Sequence, residues 1–89
     1  MKNTTQVMYT MMQNPEKEWT TKEIREFTNL KEMQVIKALY FLRGIDFLKR
    51  TRLEGWRENN LPRKRAYYKL FPCKFKIIKD LLRKDGCKI

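Results

Sequence analysis

The stretch 30–53 constrains the chain most, because its apolar pattern changes period within a few residues. Val35, Ala38, Leu39 and Leu42 recur at i, i+3, i+4 and i+7, the spacing of one helix face. Phe47 to Leu53 then reads as a strand, aromatic and aliphatic at first and afterwards alternating with basic residues. Asn29 with Glu32 offers a capping-box-like start for the helix, and Gly44 is placed for a left-handed C-cap. A helix running straight into a strand needs other elements over both, so the fold class implied is α+β, mainly α.

The remaining segments supply those elements. Thr4 or Thr5 is expected to cap a first helix with an apolar stripe of Val7, Met8, Met11 and Met12, ended by Asn14-Pro15. Trp19 stands alone among polar residues, so it is expected to plug the edge of the core and to form a very short strand against a later hairpin. Thr20 and Glu23 give the clearest capping box in the chain. The short helix they start should turn Ile24 and Phe27 inward and stop at Thr28-Asn29, crossing the next helix steeply. Residues 54–65 read as a loop, marked by Gly55, Asn59-Asn60 and Pro62; it is basic and bears Trp56. Ala66 to Leu70 returns as a second strand. After Phe71-Pro72 a last helix carries Phe75, Ile78 and Leu82 in one stripe, widened by Ile77 and Leu81, and ends at Asp85-Gly86. That stripe can pack on its own domain or on a second subunit; the second subunit is preferred here, since a small core already has three helices to cover.

The chain of 89 residues makes one small domain. A chain of this length buries roughly 60% of its unfolded surface, which leaves little room for an enclosed pocket. Charge is distributed unevenly. Residues 1–45 hold 7 Lys/Arg against 5 Asp/Glu, and residues 46–89 hold 14 against 5, so the halves carry +2 and +9 of a total of +11. That asymmetry points to a polyanionic partner, nucleic acid before an anionic membrane surface, with a solubilising surface as the plain alternative. No apolar run is long enough to span a membrane, and the polar start Met1-Lys2-Asn3-Thr4-Thr5 does not read as a secretory signal. A cytoplasmic location follows, nucleoid-associated if DNA is bound. Cys73 and Cys87, with no histidine in the chain, do not make a metal site. Reduced thiols are expected, a disulfide within or between chains being the alternative. The chain also lacks serine, and Asp46, Glu54 and Glu58 are too scattered for a metal-dependent nuclease. No enzyme, cofactor or metal is expected.

The order helix, helix, helix, strand, long basic loop, strand, helix resembles the winged helix-turn-helix family of DNA-binding domains. The local match is Gln34-Val35-Ile36-Lys37-Ala38-Leu39 with Leu42, followed by Asp46-Phe47-Leu48-Lys49-Arg50. It is similar to the family pattern Thr-Val-x-Arg-Ala-Leu-x-x-Leu and then Gly-Leu-Ile-x-Arg. The motif covers about a fifth of the chain, and the element order nearly all of it. Asp46 replaces the usual glycine, though aspartate tolerates the left-handed conformation better than most residues. Gln34 and Ile36 replace the commoner hydroxyl residues, so base contacts do not carry over.

The resemblance implies a domain over residues 1–72, with a C-terminal helix at 73–89 as a dimerisation element. It implies that the helix from Leu30 enters a major groove while the wing lies along the backbone or in the adjoining minor groove. Lys31, Met33, Gln34, Ile36, Lys37 and Tyr40 are then the recognition-helix residues: Gln34 for adenine, Met33 and Ile36 for thymine methyls, Tyr40 for a phosphate. Trp56, Arg57, Arg63, Lys64 and Arg65 belong to the wing, and Lys49, Arg50 and Arg52 add backbone contacts from the strand. A charged edge that discourages sheet pairing is the alternative for the last three. Val7, Met11, Phe75, Ile78 and Leu82 are expected at the dimer interface. The function implied is sequence-specific double-stranded DNA binding by a small homodimeric transcriptional regulator, a repressor. A DNA-repeat-binding partition or replication protein shares this logic. A winged-helix protein-interaction module is the alternative from another class, and RNA binding a weaker third.

Overall fold

A computed structural model describes residues 2–54, 57–58, 61–62 and 65–87, with backbone only at 54, 57, 58, 61 and 62. Its described elements run α1 (Asn3–Met12), β1 (Trp19–Thr20), α2 (Thr21–Thr28), α3 (Glu32–Gly44), β2 (Leu48–Glu54), β3 (Arg57–Glu58), β4 (Leu61–Pro62), β5 (Arg65–Leu70), a 3₁₀ turn at Pro72–Lys74 and α4 (Phe75–Lys84). The fold is α+β and mainly helical. A three-stranded antiparallel sheet is ordered β1-β5-β2, and β3 pairs with β4 in the segment the sequence reads as loop.

Local signals place most boundaries. Thr20 Oγ1 accepts from the Glu23 N–H at 3.2 Å while Glu23 Oε1 accepts from the Thr20 N–H at 3.0 Å, so the capping box at α2 is complete. Asn29 follows in the left-handed region at φ 59°, where a short polar side chain is tolerated. The turn after α3 departs from expectation. Gly44 is the last helical residue rather than a left-handed cap, and Asp46, at φ 60°, supplies the reversal. The helix begins at Glu32, and Gln34 rather than Glu32 reaches back to its start.

The core collects one face from every helix. Val7 and Met11 of α1, Ile24 of α2, Val35, Leu39 and Leu42 of α3, Leu48 and Leu70 of the sheet, and Ile78 and Leu82 of α4 are essentially inaccessible. Trp19, 2% exposed, closes one edge, its indole N–H donating to the Asn14 carbonyl at 3.3 Å. Phe27 does not join this core. It is 65% exposed and meets Trp19 only edge-on, at 5.7 Å between ring centroids. Thr5 does not cap α1 either. It is buried, and its hydroxyl donates to Asp85 Oδ2 at 2.8 Å, pinning the end of α4 to α1.

This packing corrects the assignment of the apolar stripe to a second subunit. Val7, Met11, Ile78 and Leu82 are each 0% exposed and Phe75 packs against the same core, so all five are occupied within the chain. They form no dimer surface in this conformation. What α4 leaves outside is Ile77 and Leu81, 45% and 38% exposed.

Candidate nucleic-acid interface

Burial of Val35, Ala38, Leu39 and Leu42 fixes which side of α3 faces outward. At about 100° per residue, Met33, Lys37 and Tyr40 follow the midline of the outer face. Gln34 and Phe41 lie on one flank, Ile36 and Arg43 on the other. Met33, Tyr40 and Phe41 are 61%, 62% and 57% exposed, Lys37 and Gln34 are exposed, and Ile36 is half-buried. Lys31, also exposed, is the N-cap, and its N–H donates to Gln34 Oε1 at 2.9 Å. That bond occupies the oxygen a bidentate adenine contact needs. The oxygen keeps a second lone pair, so an adenine contact by Gln34 would have to share it with the cap.

The hairpin sorts its basic residues by a register shift. Leu48, Lys49 and Arg50 pair with Leu70, Lys69 and Tyr68, whereas Arg52, Leu53 and Glu54 pair with Tyr67, Ala66 and Arg65. Thr51 is the extra residue of a bulge, and its hydroxyl donates to the Tyr67 carbonyl at 3.4 Å. Residues two apart on a regular strand share a face, so Arg50 and Arg52 would have pointed the same way. The bulge sends them to opposite faces: Arg50 with Leu48, Tyr68 and Leu70 on the core-facing side, Arg52 with Lys49, Tyr67 and Lys69 on the other.

The outer group is engaged within the fold. The Arg52 Nε lies 3.4 Å from Glu18 Oε2, and its guanidinium sits 4.0 Å from the Tyr67 ring centroid. Lys69 meets Glu16 at 3.5 Å, and the Lys49 ammonium lies 5.6 Å from the Phe71 ring. The two ion pairs hold the sheet to the segment that precedes β1. Lys37, Arg43 and Arg50 are all exposed and make no ion pair among the described residues.

Tyr68 marks where α3 and the hairpin meet. It is 8% exposed, and its phenol is held above its ordinary range, first by burial and then by Tyr40, with Arg50 and Arg43 opposing. Electrostatically, Tyr68 feels groups from both elements: Tyr40 from the outer face of α3 and Arg43 from its flank, and Arg50 from the paired position on the hairpin. A phenol keeps its proton at neutral pH, so the Tyr68 hydroxyl is a hydrogen-bond donor there.

The structure thus brings Lys37, Tyr40 and Arg50 of the expected residues to adjoining surfaces, and sets Lys49 and Arg52 on the opposite face of the sheet. Arg65 is exposed at the start of β5, across from Glu54. Of Arg57 the backbone is described, paired with Pro62, while Trp56, Arg63 and Lys64 lie outside the described residues. Arg43, on the flank of α3, and Tyr68, across from Arg50, were missed by sequence reasoning. Arg43 falls three residues after Tyr40, which is a usable signal; Tyr68 needs the strand register. No group of three or more acidic, Cys or His side chains among the described residues could hold a metal, and no described helix is long and apolar enough to cross a membrane. No protein-family model, no curated protein and no solved structure matches this chain.

Proposed function

We propose that the chain is a winged helix-turn-helix domain that binds double-stranded DNA, α3 entering the major groove and the hairpin running along the backbone. The observation that carries the reading is the register of the hairpin, which keeps the exposed Arg50 on the face of Leu48 and Tyr68 while the bulge at Thr51 turns Arg52 away, alongside an outer face of α3 that carries Lys37 and Tyr40. Lys37, Arg43 and Arg50, which make no ion pair among the described residues, belong to a chain of net charge +11, most of it in residues 46–89, which favours a polyanion. A small regulator follows from this, a repressor that blocks polymerase by occupancy. As a homodimer it would set two such helices in successive major grooves, about 34 Å apart. The apolar surface that α4 offers a second copy is Ile77 and Leu81.

The test is binding to random duplex DNA across a salt series, read by fluorescence anisotropy, with Lys37→Ala alongside. A log–log slope steeper than about −4 and roughly tenfold weaker binding by the variant support the reading. Flat, weak binding by both proteins overturns it. One observation favours a second reading: Met33, Tyr40 and Phe41 expose more apolar surface than a solvated helix usually does. A protein-interaction winged helix would use this face, and Lys37→Ala would leave its partner bound.

A further inference from the structure

We infer that the outward face of α3 selects thymine: Met33, Tyr40 and Phe41 cover C5-methyl groups in the major groove, and the preferred duplex is rich in A·T pairs. This rests on the DNA-binding reading and names the base chemistry that the same face favours.

The face is poor in groups that read a base by hydrogen bonds. Val35, Ala38, Leu39 and Leu42 are buried, so Met33, Lys37 and Tyr40, at i, i+4 and i+7, run down the outward midline, with Phe41 beside them. That midline carries one cation, Lys37, and no arginine fork of the kind that matches both acceptors of a guanine. The one amide on this side, Gln34, already accepts from the Lys31 N–H at 2.9 Å through its Oε1, which weakens a bidentate adenine contact. What the face offers in quantity is apolar surface. Met33, Tyr40 and Phe41 are each more than half exposed, whereas Ile36 is half-buried on the flank toward Arg43. The thymine methyl is the apolar group that a base edge turns into the major groove, and covering it removes both partners from water.

Lys37 decides between a duplex and an apolar protein partner. It stands between Met33 and Tyr40 in the middle of the apolar group, exposed and making no ion pair among the described residues. An apolar partner laid over this face would bury that ammonium without a counter-charge. In a major groove its flexible stem reaches the phosphates on the rim while its neighbours stay against the bases. Along the helix axis Met33 and Tyr40 are about 10 Å apart, about three base-pair steps. The methyls covered therefore belong to thymines separated by that spacing rather than to adjacent ones.

The experiment measures the full chain on three duplexes of about 20 base pairs, by fluorescence anisotropy at several salt concentrations. They are an alternating A·T duplex, the same duplex with uracil for thymine, and an alternating G·C duplex. Uracil removes the methyls and keeps the charge and the hydrogen-bonding groups. Each methyl covered is worth roughly fourfold, so two make the A·T duplex bind on the order of tenfold tighter than its uracil form. The ratio should hold as salt is raised and both affinities fall, because it does not come from charge. Met33→Gln and Phe41→Ala should each narrow it. Both residues are exposed, so circular dichroism and thermal melting of the variants should match the parent. Lys37→Ala should weaken binding to the thymine and uracil duplexes equally. Three results overturn the thymine reading and leave DNA binding standing: equal affinity for thymine and uracil, a preference that survives the combined Met33→Gln/Phe41→Ala variant, or a G·C duplex bound as tightly as the A·T one. A parent protein that binds none of the three duplexes removes both readings.

Discussion

Leu82→Ala tests whether α4 belongs to the fold of one chain. Leu82 is 0% exposed and sits in the same core as Val7, Met11 and Leu42. Removing three buried carbons loses about 2.4 kcal/mol of transfer free energy, and an imperfectly collapsed cavity raises the cost to about 3 kcal/mol or more. For 89 residues, an unfolding entropy of about 2.1 cal/mol/K per residue turns that loss into a fall in Tm of about 16 °C. The assay is thermal unfolding followed by circular dichroism over a hundredfold range of protein concentration. The fall should be the same throughout, because the contacts are made within the chain. Leu81→Ala, one position along and 38% exposed, should shift Tm by no more than a few degrees. A Leu82→Ala protein that melts with the parent when dilute, or whose loss grows with concentration, would refute the intrachain assignment and return the stripe to an intersubunit role.

Three further outcomes follow from local structure. Thr20→Ala should cost about 1 kcal/mol in urea unfolding, and Thr20→Ser much less, since the serine hydroxyl can still accept from the Glu23 N–H. Burial alone raises the Glu23 carboxyl, but hydrogen bonds from Lys17 and Thr20 and the Lys17 charge more than offset it, leaving its pKa below the ordinary 4.5. Its contribution is then present above that ordinary value and lost as pH falls through the depressed one. Glu23→Gln should flatten that part of the acid limb of the stability curve, and an unchanged limb would refute the assignment. Asp46→Val should destabilise by about 1–2 kcal/mol, because a β-branched side chain resists a φ of 60°, whereas Asp46→Gly should be nearly neutral. Equal effects of the two would mean the turn relaxes.

What the sequence reveals depends on how local the cause is. The Thr20–Glu23 box and the face Val35-Ala38-Leu39-Leu42 are visible because each is decided within a turn or two of one helix. Phe27 is misread for a related reason: three residues after Ile24 it satisfies the periodicity, but a two-turn helix covers only a narrow stripe, and Phe27 falls beside it. Gly44 looks like a stop because glycine permits one. The helix continues through it, and the reversal waits for Asp46, whose short polar side chain also tolerates the left-handed region. The apolar stripe of α4 is plain in the sequence, yet periodicity says what must be buried and not in whose core. The bulge at Thr51 is least legible of all. Nothing near Arg50 or Arg52 announces it, since the extra residue exists only relative to β5.

The hydrogen bond between Thr5 and Asp85 spans 80 positions of sequence. Closing a loop of that size costs about 4 kcal/mol of chain entropy before any contact is made. Helix α1 can pack on α2 and α3 as soon as those exist, but the part of it that meets α4 has to wait for nearly the last residues described. During synthesis the domain therefore passes through a stage with its first helix half-covered. Chaperones and aggregation compete for that uncovered strip until α4 arrives, so substitutions at Thr5, Ile78 or Leu82 should lower yield in cells more than their equilibrium cost alone predicts.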